Sequence, residues 1–349
     1  MDYDCIIAGG SFAGLAAADQ IKRGRVLLID SKEPGTFPRS ACGTLLPTVE
    51  ELGLEESIIQ IFKTIIVHIG SRKVVFNLPY PFCTIDYKKF CGVLLKRSRA
   101  EFLKTAVRGI RGDKVITDRG EFSSKCIIDA SGWKAVLASS LRKDFVRKED
   151  LSFGIETVLD YTGDSLYFWW NGFADKGVTW LFPCKGQSRI GIGSYVGRTR
   201  LKEGLEGFLK QFDLEIDGLH GGFFPHRLRE PTVDNIFLAG DSAGQCLPFT
   251  GEGIRTALHF GQECGIIVQR IIDGKINRKQ GLAHYRAFVR GHKGAFRHME
   301  KGQKFLISIP NFWVWFFSGL LSRQIIFRWL MRKYRDLARL VQWEENSSD

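Results

Sequence analysis

The strongest constraint on how this chain folds lies in its first thirty residues. An apolar run, Cys5-Ile6-Ile7-Ala8, enters Gly9-Gly10-Ser11-Phe12-Ala13-Gly14; an alanine-rich stretch from Leu15 to Lys22 then leads to a second run, Arg25 to Asp30. Strand, glycine turn, helix and strand make one β-α-β unit, whose two strands must lie parallel. The turn is the G-x-G-x-x-G dinucleotide pattern with Ser11 in place of its second glycine. Gly9 permits the tight bend, Ser11 is small enough for close approach, and Gly14 lets helix and strand pack together. The segment from Gly9 through Ser11, Ala13 and Gly14 is therefore a candidate pyrophosphate cradle, facing the positive end of the helix dipole. Asp30, at the end of the second strand, stands where a carboxylate takes ribose hydroxyls.

Further along, a short helix is predicted over Val49 to Phe62, and Ile65–Ile69 with Lys73–Leu78 alternate as a hairpin around Ser71-Arg72. Asp86 to Arg97 reads as helix, and Lys114–Thr117 with Glu121–Ile128 as a hairpin feeding a central strand. From 151 to 196 the chain turns strand-rich and aromatic, the pattern of an antiparallel sheet with one covered face. Ile236–Leu238 returns to the style of the first strands, and a long helix from about Gly253 to Ile272 follows. Residues 283–343 are helical, basic and rich in Trp and Phe.

Three more segments sharpen the nucleotide reading. Ile127-Ile128-Asp129-Ala130-Ser131-Gly132 is a buried strand running into a small-residue turn, which taken alone is also consistent with an ordinary strand end. Ile236-Phe237-Leu238-Ala239-Gly240-Asp241 ends a strand in Gly-Asp, where a carboxylate can bond ribityl hydroxyls. Pro248-Phe249-Thr250-Gly251-Glu252-Gly253-Ile254 opens the long helix; its glycines let backbone approach a flat ring, and its amides can stabilise negative charge on a reduced flavin. Glu252 reads as a helix-start charge rather than a catalyst. In this order the four segments point to FAD, with Asp129, Ser131, Gly132, Gly240, Asp241, Pro248, Gly251, Gly253 and Ile254 as candidate contacts.

With these motifs, GGSFAG, DASG and GDSAG…PFTGEGI, the chain resembles the hydroxylase-type FAD superfamily and, within it, the geranylgeranyl reductase family. The resemblance covers roughly residues 1–275. Arg39-Ser40-Ala41-Cys42-Gly43 is similar to that family's Cys-Gly element, which approaches the flavin; Thr179-Trp180-Leu181-Phe182-Pro183 is similar to its W-x-F-P element, which lines the substrate tunnel. The resemblance implies flavin contacts from Arg39, Cys42 and Gly43. Cys42 reads either as a buried small hydrophobe or as an active-site thiol in the proton path. Trp180, Phe182 and Pro183 are the implied substrate residues, joined by the Trp169-Trp170 pair, which must place one ring on each face of its strand. The family often has Arg after the Asp that opens the helix near 86; here Tyr87 follows Asp86.

The implied fold class is α/β, a Rossmann-like FAD-binding domain (1–64, 86–150 and 230–280). An antiparallel β-sheet substrate domain (65–85 and 151–229) interrupts it, and basic aromatic helices (281–349) follow. The implied function is hydrogenation of geranylgeranyl double bonds of a lipid, prenyl diphosphate or prenyl quinone, the electrons coming from ferredoxin or NAD(P)H. Two alternatives share the fold. Halogenases carry W-x-W-x-I-P, where this chain has Val178 and Phe182, and hydroxylases carry Asp-Gly where it has Asp129-Ala130. A flavoprotein delivering electrons to membrane quinone is the third reading.

Composition narrows the partners. The chain has 349 residues and a formal net charge of +12, which suggests an anionic partner. Its 44% hydrophobic and 25% charged residues are ordinary globular values and exclude wholesale disorder. The 8 cysteines include no CxxC pair, so no metal site is expected. The start runs directly into a strand without a basic, apolar leader, so the expectation is a cytoplasmic protein with free thiols. In the C-terminal stretch, Phe312, Trp313, Trp315, Phe316 and Phe317 precede Arg323, Arg328, Arg332, Lys333, Arg335 and Arg339, with Trp329 and Trp343 interspersed. A basic helix with interfacial aromatics suits peripheral contact through 305–343 with the inner face of the cell membrane. No nucleic-acid motif accompanies the charge.

Overall fold

The computed structural model describes residues 1–36 and 41–342. The elements are, in order, β1 (Tyr3–Ala8), α1 (Phe12–Gln20), β2 (Val26–Asp30), β3 (Gly43–Leu45), α2 (Leu46–Glu51), β4 (Ile58–Ile69), β5 (Arg72–Ile85) and α3 (Tyr87–Arg97). There follow β6 (Glu101–Lys104), β7 (Val107–Arg111), β8 (Lys114–Thr117), β9 (Gly120–Asp129), α4 (Val136–Leu141), β10 (Leu151–Leu159), β11 (Leu166–Trp170), β12 (Gly177–Cys184) and β13 (Gln187–Ser194). The chain finishes with α5 (Leu201–Leu209), β14 (His220–Pro225), β15 (Thr232–Val233), β16 (Ile236–Leu238), α6 (Ile254–Ile272), α7 (Arg278–Ser308), α8 (Asn311–Leu321) and α9 (Gln324–Asp336).

Two compact units result, Met1–Phe37 with Tyr87–Ser152 and Phe223–Gln303, and Pro38–Asp86 with Phe153–Gly222 and Lys304–Asp349. The boundaries expected at 64 and 281 fall inside β4 and α7. The expected helix over 49–62 is corrected too: α2 stops at Glu51, and from Ile58 the chain is strand. The apolar spacing of Val49, Leu52, Phe62 suits a helix, but pairing with β5, Ile58 opposite Ile85 and Phe62 opposite Phe82, takes the residues instead.

In the first unit the sheet runs β15-β16-β9-β1-β2-β6. The pairs β16–β9, β9–β1, β1–β2 and β2–β6 are all parallel. Ile6, Ile7, Leu27, Leu28 and Ile128 are fully buried, as befits strands covered on both faces. Helices α1 and α6 pack closely because Gly261 faces the first: a Cβ there would stand 2.4 Å from the carbonyl oxygen of Ala13. The C-terminal ends of β16, β9, β1 and β2 lie side by side, and each carries one of the motifs singled out above. Ligands of open α/β sheets bind at that edge.

In the second unit the sheet order is β14-β10-β13-β12-β11-β4-β5-β3. The pairs β10–β13, β13–β12, β12–β11, β4–β5 and β5–β3 are antiparallel as expected, while β11 and β4 pair in parallel. One face is closed by α5, whose Leu205 and Phe208 pack with Ile155, Leu181, Ile190 and Ile192. The β4–β5 hairpin carries α8 through Val314, Ile69 and Val74, and α9 through Met331, Phe327 and Leu78.

Candidate functional site

The glycine turn after β1 has the backbone its sequence requires. Gly9 has φ of +119°, and a Cβ there would lie 2.0 Å from the Ala130 carbonyl oxygen. A Cβ on Gly14 would lie 1.9 Å from the Gly9 carbonyl oxygen, so only glycine lets α1 rise this close to the strand. Ser11 precedes α1 and its side chain does not cap the helix, so the first-turn amides keep their donor capacity. Its hydroxyl instead meets the Tyr87 hydroxyl at 2.9 Å. Ser11, which departs from the dinucleotide pattern, and Tyr87, which departs from the family's, are thus partners. Asp30 accepts the Gly10 amide at 2.8 Å and the Lys32 amide at 3.0 Å, which fixes the carboxylate at the end of β2.

Asp129 departs from expectation. One carboxylate oxygen accepts the amides of Leu137 and Ala138, at 2.9 Å each. The other takes the Ser131 amide and hydroxyl and the Ser242 hydroxyl. Fully buried and filled by the chain's own donors, it holds the start of α4 and leaves nothing for a cofactor. Ser131 is occupied likewise, its hydroxyl accepting the Val136 amide at 2.8 Å. These two residues build the turn; the neighbouring Gly132, with φ of +82° and open space beside it, keeps the backbone accessible. Ala13 and Ile254 are buried packing residues.

Asp241 behaves differently. Burial raises its carboxyl to about 6, opposed by Arg229, while the residue retains part of its accessibility. Arg229 braces the same turn, its Nη1 donating to the carbonyl oxygens of Trp133 and Asp241 at 3.0 and 3.1 Å. Gly253 lies beside this carboxylate, a Cβ there reaching 4.0 Å from Asp241 Oδ1. The Pro248–Gly251 turn closes through the Gly251 amide to the Leu247 carbonyl at 3.0 Å. Phe249 sits at φ of +63° within it, a strained conformation for a non-glycine residue. Glu252 is paired with Arg255 at 2.9 Å, both buried, so its charge is neutralised within the chain. A steric cradle at a helix start, a carboxylate fixed at the end of β2 and a second carboxylate at Asp241 fit FAD.

In the second unit, Cys42 is fully buried at φ of +53°, and its carbonyl accepts the Ile85 amide at 2.9 Å. Burial pushes the thiol up to about 12, Arg189 opposing and Glu156, Cys184 and Asp86 adding to the rise. Gly43 faces Phe182: a Cβ would stand 2.8 Å from the ring. Phe182 and Phe168 meet edge to face at 5.3 Å, and Trp180 is paired with Phe168 across β11–β12, so the three rings share one sheet face. Trp169 lies on the other face, stacked on His68 at 4.9 Å and against Phe208 at 4.6 Å. Pro183 is turned the same way, against Gly163. Trp170 shares the parity of Phe168 but is covered by Tyr195 and Val314. Of the five expected substrate residues the structure therefore brings Trp180 and Phe182 together and sets the other three apart. Arg39 lies outside the described residues.

Four residues escaped the sequence reading. The Glu156 carboxylate accepts Trp180 Nε1 at 2.9 Å and Arg189 Nη1 at 3.1 Å, and lies 3.1 Å from His220 Nε2. Gly191, directly between Glu156 and Trp180 in the strand register, makes room for the indole: a Cβ there would be 2.2 Å from it. A lone acid inside the apolar strand Leu151–Leu159, opposite the alternating glycines Gly191 and Gly193, was the available signal.

Among the described residues no group of His, Cys, Asp and Glu is arranged to hold a metal ion. No protein-family model matches the chain. A digeranylgeranylglycerophospholipid reductase of Methanococcus vannielii is 25% identical over 340 residues, covering 88% of this chain and 84% of that protein. The chain is a relative of the geranylgeranyl reductases. A geranylgeranyl bacteriochlorophyll reductase-like protein of Thermoplasma acidophilum matches it with a TM-score of 0.84 at 19% identity, over 96% of this chain and 97% of that one. The fold of these reductase relatives extends to a flavin-dependent brominase, with a TM-score of 0.71 and 15% identity over 95% and 92% of the two chains.

Proposed function

We propose that this protein is an FAD-dependent reductase that hydrogenates the double bonds of an isoprenoid lipid, prenyl diphosphate or prenyl quinone. The observation that carries the reading is the apolar face of Trp180, Phe182 and Phe168 beside a buried thiol held protonated. FAD, when bound and reduced by ferredoxin or NAD(P)H, supplies hydride. The chain's own part is to hold that group with Gly9–Gly14, Asp30 and Asp241, to seat the prenyl chain on Trp180 and Phe182, and to deliver a proton. Cys42 suits that last role: a thiol with pKa about 12 is fully protonated at neutral pH. The alkene gains one hydride and one proton, two hydrogens in all.

The test is anaerobic. The flavin-loaded protein is reduced with dithionite and given a geranylgeranyl lipid, with mass spectrometry of the product. Gain of two hydrogens per double bond with reoxidation of the flavin is the expected result. Unchanged lipid, with flavin reoxidised only by air or by a quinone, overturns it in favour of the monooxygenase or electron-carrier reading.

The same reading includes contact with an anionic lipid surface. Helix α8 has no charged residue and exposes Phe312, Trp313, Phe316 and Leu320, while α9 exposes Ile325 and Trp329. Arg323, Arg328, Arg332 and Lys333 are exposed beside them. No helix among the described residues is long and apolar enough to cross a membrane, so such contact would be superficial, rings inserted and cations at phosphates.

A further inference from the structure

We propose that the outer face of α7 is the docking surface for a small acidic electron-carrier protein, the source of the electrons for the flavin. The inference deepens the reductase reading above, which leaves that source open between a protein and a nicotinamide. Helix α7 carries eight Lys or Arg and one acid, Glu300. Lys279, Arg290, Lys293, Arg297 and Lys301 are exposed. At 3.6 residues per turn these five fall within an arc of about 80° and run for about 33 Å. Among the described residues none of the five meets an acid; ion pairs fall instead on Arg278, with Asp113, and on Glu300, with Arg227.

Beside these cations the helix is smooth. Ala283, Ala287, Gly291 and Gly294 are exposed there, and no large apolar side chain is exposed from 278 to 303. A Cβ on Gly291 or Gly294 would meet nothing within 4 Å, so no packing among the described residues calls for glycine. Glycine weakens a helix interior relative to alanine. Its smallness here serves something that approaches from outside, and the unpaired cations make that partner negative. A lipid surface is the poorer fit, because the rings that α8 and α9 expose for insertion are missing from this face of α7.

The inner face ties this surface to the flavin side of the first sheet. Tyr285 is fully buried, and its hydroxyl donates to the Leu238 carbonyl at 2.9 Å, at the end of β16. The Gln245 amide donates to the same hydroxyl at 3.3 Å, and its oxygen accepts the Gly240 N–H at 2.7 Å. Gly240 precedes Asp241, so the layer joining the cations to that turn is α7 itself, about 10–12 Å across. Electron-transfer encounters are small and weak, and rest on charge more than on area. The electron count closes. An iron–sulfur carrier of the ferredoxin class gives up one electron per encounter and leaves oxidised. Two encounters, with one proton from water, supply the hydride of the proposed reaction; the second hydrogen arrives as the proton already assigned to the alkene.

The test mixes the flavin-loaded protein with a reduced two-iron ferredoxin in an anaerobic stopped flow, without lipid, and follows bleaching of the flavin. The second-order rate should fall steeply as salt rises. Arg290→Glu with Arg297→Glu should lower it at least tenfold at low salt, while reduction by dithionite stays within twofold. Gly294→Gln, which leaves the charge alone, should slow it at least threefold without lowering the melting temperature. A rate indifferent to salt, a wild-type flavin that ferredoxin does not reduce, or a charge-reversed protein reduced at the wild-type rate overturns the proposal. So does charge reversal that abolishes binding to phosphatidylglycerol vesicles or to an oligonucleotide while the ferredoxin rate is kept. Flavin reduction that depends on these cations, with geranylgeranyl lipid left unchanged by the reduced protein, would support the docking surface and overturn the lipid-reductase reading.

Discussion

At the scale of single residues, direction matters more than type. Asp30 and Asp129 end strands of one sheet and Asp241 follows β16 of the same sheet, yet Asp129 is filled by the chain's own amides and hydroxyls while Asp241 is desolvated and keeps part of its accessibility. For Asp241 the sign follows directly. Its folded pKa of about 6 lies above the ordinary 3.8, so through that window the folded protein holds a proton the unfolded chain has lost, and stability of the flavin-free protein falls as pH rises. Hydroxyl donors from a bound ribityl chain favour the carboxylate. FAD should therefore bind more tightly from pH 5 to 7, by up to about tenfold per unit, and Asp241→Asn should flatten the curve; quenching of flavin fluorescence measures both. Gly9, Gly14 and Asp30 were legible in the sequence because steric need and position coincide there. Glu156 and His220 were not, since strands distant in the chain bring them together.

At the scale of elements, the β-α-β start and the hairpins were legible from periodicity, whereas 49–62 was not: strand pairing with β5 overrode a spacing that also suits a helix. The alternation on β13 has a consequence that periodicity alone conceals. Gly191 is a socket for Trp180, so Gly191→Ala should expel the indole, break its bond to Glu156 and lower lipid reduction at least tenfold while flavin content stays unchanged. Gly261→Val acts elsewhere, forcing α6 off α1. Overpacking of this kind costs about 1–3 kcal/mol, so the variant should melt several degrees lower and lose flavin; calorimetry and the absorbance spectrum check this.

At the scale of the molecule, the proposed lipid contact combines the surplus of +12 with the uncharged helix α8. Sedimentation with vesicles containing phosphatidylglycerol should retain the protein at low salt and release it as ionic strength rises. Trp313→Ser with Phe316→Ser should abolish binding even at low salt; binding equal to that on neutral phosphatidylcholine vesicles, or unaffected by these changes, would sink the idea. The sequence suggests an interrupted nucleotide fold followed by a separate helical segment from 281, whereas the chain divides into two units with 304 onward in the second, and β4 and α7 run through the expected boundaries at 64 and 281. That interruption also orders the birth of the protein. β9 and β16 are neighbours in the sheet, yet the ribosome makes five strands of the second sheet, β10 to β14, between them. Ile6 and Ile127 share one buried cluster with Val233, Ile236, Leu238 and Ala243 and lack these neighbours until that segment emerges, so a nascent chain halted near residue 230 should aggregate unless a chaperone holds it.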